Sequence, residues 1–254
     1  MKGVYILLIL SVIGPLIGSL IGVLKKPSET FMHNLLAFAG GVMISISFLQ
    51  LIPESIKLSS IYICVFGIII GSLFMFSLDK IIPHIHPGLN KPEDSEKNKK
   101  IKRVAIYLLA GICLHNIPEG IAIGISLSSG FNLSLLIAIA ITVHDIPEAI
   151  CTSAPYFYST GKRLKAFLLS SLTAVATIAG LLLSYFILND ISPLFMGIII
   201  AATAGIMIYI SGDELIPLSC NKENCSMKKG KFRHSAIFSL ILGIIFVLLL
   251  GLIK

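Results

Sequence analysis

Along the chain, long apolar runs alternate with short polar segments rich in lysine. A helix needs about 20 apolar residues to cross the hydrocarbon core of a bilayer. Eight runs meet that length, at roughly 4–24, 31–52, 60–81, 104–126, 133–157, 165–187, 194–217 and 235–253. Each predicts a membrane-spanning helix, and one longer polar loop falls at about 83–103. The expected fold is all-α, a polytopic membrane protein with eight transmembrane helices forming one domain over residues 1–254. The first run, Val4 to Leu24, follows only Lys2 and has no small-residue cleavage site after it. It reads as a retained span, not a signal peptide.

Composition narrows the class. The chain is 56% hydrophobic and 13% charged, with a mean hydropathy of +0.94. Soluble domains average roughly 45–50% apolar and about 25% charged, so a soluble enzyme is excluded. The net charge of +7 would suit a nucleic acid if the basic residues clustered on one surface. They lie in loops instead. The loops after the first, third, fifth and seventh runs hold 17 of the 20 basic residues, among them Lys25, Lys26, Arg103, Arg163 and Arg233. Positive loops stay in the cytoplasm, which puts both termini outside. The partner this implies is the lipid bilayer of the cell (plasma or inner) membrane, with no nucleic acid. Five cysteines make no disulfide framework, and Cys220 and Cys225 read as free thiols.

Two internal repeats cut across these spans. Residues 37–55 align with 201–219 at an offset of 164, with 10 of 19 positions identical. Met43 falls on Met207, Gln50 on Glu214 and Pro53 on Pro217. Spans 2 and 7 run in opposite directions, so the repeat is inverted, as in many secondary transporters. The second repeat is His115-Asn116-Ile117-Pro118-Glu119, which recurs as His144-Asp145-Ile146-Pro147-Glu148 in the neighbouring antiparallel span.

That pentapeptide carries the candidate chemistry. An ionisable side chain near the bilayer centre costs at least about 2.5–3.5 kcal/mol and must face a partner, water or a ligand. Residues i and i+4 share a helix face. His115 therefore stands with Glu119 and His144 with Glu148, while Asn116 and Asp145 reach the same centre from the side. Pro118 and Pro147 each remove an N–H and free the carbonyls of Leu114 and Val143. A broken backbone at that depth is tolerable only beside a cavity or a protein partner. Imidazole with carboxylate suits Zn²⁺, Fe²⁺, Mn²⁺ or Co²⁺. The metal would be transported substrate, with no prosthetic group.

These motifs resemble the ZIP family of metal-ion transporters, in particular its GufA-like and zinc-permease members. Leu78-Asp79-Lys80-Ile81-Ile82-Pro83-His84-Ile85-His86 resembles the end of the family's span 3. Gly41-Val42-Met43-Ile44 through Leu51-Ile52-Pro53-Glu54 resembles its span 2, and Asp213-Glu214-Leu215-Ile216-Pro217 the polar end of its span 7. The resemblance covers nearly the whole chain. It implies uptake of divalent metal, Zn²⁺ foremost and Fe²⁺, Mn²⁺, Co²⁺ or Cd²⁺ besides, through a one- or two-metal centre between spans 4 and 5. His115, Asn116, Glu119, His144, Asp145 and Glu148 would form that centre. By the same resemblance Met43 adds a thioether, Gln50 stands near the outer entrance, and Asp79, His84, His86 and Glu214 stand on the release side. Members of this type often carry Glu-Pro in span 6, where Ala174 and Val175 align here.

The rival class is an intramembrane zinc-dependent hydrolase working through metal-bound water. The chain has no His-Glu-x-x-His, and the paired motifs leave no spare base. An enzyme is not expected. Gly14, Gly18 and Gly22 allow close helix approach, and the spacing suits packing inside the chain and a homodimer contact equally.

Overall fold

The computed structural model describes residues 2–24, 27–81, 112–113, 116–188, 192–216 and 230–252. Among these, every regular element is helical: α1 (Lys2–Leu24), α2 (Glu29–Ile46), α3 (Ile52–Leu58), α4 (Ile61–Ile81), α5 (116–129), α6 (Phe131–Thr160), α7 (Arg163–Ser171), α8 (Thr173–Leu183), α9 (Pro193–Ile210) and α10 (Gly230–Leu250). π-Helical turns at Ser47–Leu51, Ser184–Leu188 and Ser211–Leu215 extend α2, α8 and α9. Among the described residues six helical stretches are long and apolar enough to cross a membrane: Gly3–Leu24, His33–Leu58, Ile61–Leu78, Phe131–Tyr158, Arg163–Phe186 and Pro193–Asp213. A shorter apolar helix covers His234–Leu250. Of the predicted fourth span, 104–126, residues 104–111, 114 and 115 lie outside the described residues.

Local signals explain the helix ends. Ser28 Oγ accepts from the Phe31 N–H at 3.2 Å, capping α2, and Pro193 opens α9 where a missing N–H costs nothing. Gly130, at φ +131°, is the whole link between α5 and α6, while Gly161, at φ +68°, ends α6. Only glycine takes such angles without strain.

One expectation needs correcting here. α6 runs unbroken through Pro147 and Pro155. Proline lacks its N–H, but its fixed φ is helical, and neighbouring helices clasp α6 from several sides.

The helices sort into two blocks. In one, α1 lies along α6 and also touches α7 and α8. In the same block α5 and α8 are so close that a Cβ on Gly120 would meet the Thr177 carbonyl and one on Gly180 the Ile117 carbonyl. In the other, α2 pairs with α10 and α4 with α9, and α3 also rests on α9. The α2–α6 contact joins the blocks. Buried fractions follow: 67% of the apolar window of α6 is covered against 22% for α4, so α6 is central and α4 peripheral. Tyr62, Phe66 and Leu73 of α4 point outward, as side chains facing lipid do.

The Gly14, Gly18 and Gly22 stripe has its partner inside the chain. A Cβ there would meet the Thr142 carbonyl, the Ile146 carbonyl and Ser153 Oγ, all on α6. Small residues let the two backbones touch, which drives helix association where hydrophobicity gives no bias.

Candidate metal centre

The site stands on the α5–α6 hairpin. Asn116 and Glu119 lie on α5, His144, Asp145 and Glu148 at mid-α6, and each is at most 4% exposed. Five polar side chains in so apolar a region demand partners.

His144 Nε2 lies 2.9 Å from Glu119 Oε1 and 3.5 Å from Asp145 Oδ1, with both partners buried. One ligand atom from each of Glu119, His144 and Asp145 falls within 4.8 Å of the others, which is room for a single cation. As the Nε2–H tautomer, His144 donates to Glu119 across the hairpin. A divalent ion set between them would take that proton's place. Glu119 Oε2, His144 Nδ1 and Asn116 Oδ1 have no hydrogen-bond partner among the described residues. Buried polar atoms are nearly always satisfied, so among the described residues this set can accept a further partner.

The α7–α8 stretch that carries Ala174 meets α5 and α6 near the site through neutral groups. Asn116 Nδ2 donates to the Thr173 carbonyl at 3.4 Å, which orients the amide. Ser170 Oγ donates to the Ala149 carbonyl at 3.0 Å and shares a 2.6 Å hydrogen bond with Thr152 Oγ1. Ala174 is 4% exposed, on the buried side of α8. These hydroxyl ties escaped the sequence reading. Their signal was a polar stretch, Ser170 to Thr173, inside an apolar span.

The other predicted residues divide clearly. Met43 is fully buried in α2, and half-buried Gln50 lies in the π-turn that follows it. Glu214 belongs to the corresponding turn, Ser211–Leu215, and Asp79 to the end of α4, but both side chains lie outside the described set. His115, His84 and His86 lie outside the described residues altogether, as do Cys220 and Cys225.

The 164-residue repeat has a structural counterpart. Ser47–Leu51 and Ser211–Leu215 are both π-helical and stand at the same repeat positions. Ser47 Oγ donates to the Met43 carbonyl at 2.9 Å, and Ser211 Oγ to the Met207 carbonyl at 2.7 Å. Each turn packs on the partner repeat, the first on α9 and the second on α2.

A buried histidine–carboxylate cluster on a membrane helix pair marks an ion or proton pathway, and Glu119, His144 and Asp145 are placed so that they could hold a metal ion. The sequence pattern of the ZIP zinc transporter family matches residues 2–102 and 88–251, and the chain belongs to that family. It is 40% identical over 219 residues to the zinc transporter ZupT of Escherichia coli O1:K1 / APEC, covering 84% of this chain and 85% of that one. The same figures hold for the ZupT proteins of E. coli O9:H4 (strain HS) and of E. coli K12 / DH10B.

Proposed function

We propose that the protein transports divalent metal ions, Zn²⁺ foremost, across the cell membrane into the cytoplasm. The observation that carries this reading is the buried cluster of Glu119, His144 and Asp145 on a membrane helix pair, one ligand atom from each lying within 4.8 Å of the others. Family membership and the ZupT relatives support transport and give the hydrolase reading no support. Asn116, Glu148 and His115 complete the ligand set in this account, with Met43 at its edge. Gln50 lies on the entry side and Asp79, His84, His86 and Glu214 on the release side. The basic loops support the eight-span topology with both termini outside.

With Ala174 and a row of hydroxyls in span 6, the centre takes one metal at a time. A second divalent ion there would have too few anionic ligands beside it. The ion sheds its water to His144, Glu119 and Glu148, and these groups bind only when deprotonated. Protons and metal compete for the same atoms, so uptake falls as pH drops from about 8 to about 5. A flat profile over that range contradicts imidazole and carboxylate as the ligands.

The test is Zn²⁺ influx into proteoliposomes holding a zinc-sensitive dye, with Glu148→Ala beside the wild type. Saturable influx lost in the variant is the expected result. Folded, zinc-binding wild type that gives no influx of Zn²⁺, Fe²⁺ or Mn²⁺ would overturn it.

A further inference from the structure

Two adjacent serines at the tip of the α5–α6 hairpin reach from one helix block to the other. Ser129 Oγ donates a hydrogen bond to Glu54 Oε1 on α3. Ser128 Oγ lies 3.7 Å from the Met196 sulfur, in the first turn of α9. Glu54 is held from its own side too, since Lys57 Nζ stands 3.6 Å from the same oxygen. The Glu54 side chain is 12% exposed while that of Lys57 is 70% exposed. The carboxylate is therefore packed into the seam between blocks, and the lysine stays in solvent.

The position of this contact gives it meaning. Ser129 is followed by Gly130, the single residue joining the two helices that carry Asn116, Glu119, His144, Asp145 and Glu148. A Cβ at Gly130 would meet nothing within 4 Å. The hairpin itself is stapled, with Ser134 Oγ donating to the Ile123 carbonyl at 2.6 Å. Pulling the tip thus moves both metal-bearing helices together. Ile125, one turn below Ser129 on the same face, is 3% exposed. While the tip is fastened to α3 and α9, Ile125 beneath it stays covered.

We propose that Glu54 and Ser129 form a latch between the two helix blocks, closed in this structure, that opens once in each transport cycle to admit metal from the outer side. The inference rests on the transport reading above and on the topology that puts the hairpin tip outside. A site with alternating access must be sealed at one face while it is open at the other. A hydrogen bond to a carboxylate is strong enough to hold a seam and weak enough to part in a working cycle.

The test is a lock. Glu54→Cys with Ser129→Cys is reconstituted in zinc-dye proteoliposomes, oxidised with diamide and then reduced, with each single variant treated in parallel. Uptake in the reduced double variant, loss of most of it on cross-linking and recovery on reduction are the expected results. A cross-linked protein that still takes up zinc overturns the latch, and so does failure to cross-link. If wild type itself takes up no metal, the transport reading fails first and separately.

A reduced double variant that is inactive beside an active wild type passes the question to a second measurement. Ile125→Cys is placed in a chain whose five native cysteines are alanine, and is labelled with an impermeant maleimide from the hairpin-tip side. Adding Ser129→Ala should speed labelling several-fold. Equal rates overturn the latch.

Discussion

The two repeats in this chain are used in opposite ways. The 164-residue repeat makes the same local object twice: a π-turn, a serine donating to a methionine carbonyl, and a packing face on the other copy. The His-x-x-x-Glu repeat makes two halves of one object. Glu119 from the first copy meets His144 from the second at 2.9 Å, and Asp145 joins from the second alone. A repeated sequence therefore says that two segments are related, and their placement decides whether they build twin elements or a shared centre. Twin turns 164 residues apart sit on different helices of one block. The motif copies, 29 residues apart, fold onto each other through a single glycine.

The sharpest break in this contrast is removal of one half of the shared centre. Glu119→Ala or His144→Ala should each lower zinc uptake by about 100-fold, the equivalent of about 2.7 kcal/mol; a drop under about threefold would mean that the halves work independently. Next comes the clasp that fixes α6. Gly18→Val drives a side chain into the Ile146 carbonyl and should cost about 1–3 kcal/mol, read as a lower Tm in detergent, whereas an unchanged Tm would contradict the α1–α6 contact.

Ala174→Glu supplies an anion beside the centre and should raise bound zinc from one ion per chain toward two, measured by equilibrium dialysis. A ratio of two already in the wild type would refute the single-metal account. The smallest effect tests the twin turns. Ser47→Ala and Ser211→Ala each remove one hydrogen bond and should cost about 0.6 kcal/mol, equally in both; a clear inequality in Tm would break their equivalence.

Much of this was legible in the residues. Apolar run length gave the all-helical fold and the six membrane-length helices among the described residues, and the buried His and Glu of a doubled motif gave the cluster, because few reasons exist for placing such groups in lipid. The glycine stripe announced a close approach but not its partner, since Gly14, Gly18 and Gly22 look the same against α6 or a second copy. The unbroken course of α6 through Pro147 was not legible either: a missing N–H is local, while the support that keeps the helix running comes from neighbours. The π-turns were hidden because an i to i+5 hydrogen bond leaves no mark in composition. Glu54 and Ser129 meet only because two blocks pack, and no spacing along the chain reports that.

The central claim is that the two motif copies build one centre. It is tested most directly by calorimetric titration of zinc into wild type, Glu119→Ala, His144→Ala and the double variant. A shared site predicts strong coupling, with the double variant binding little more weakly than either single one. Losses that simply add would contradict it, and would return the two motifs to separate sites.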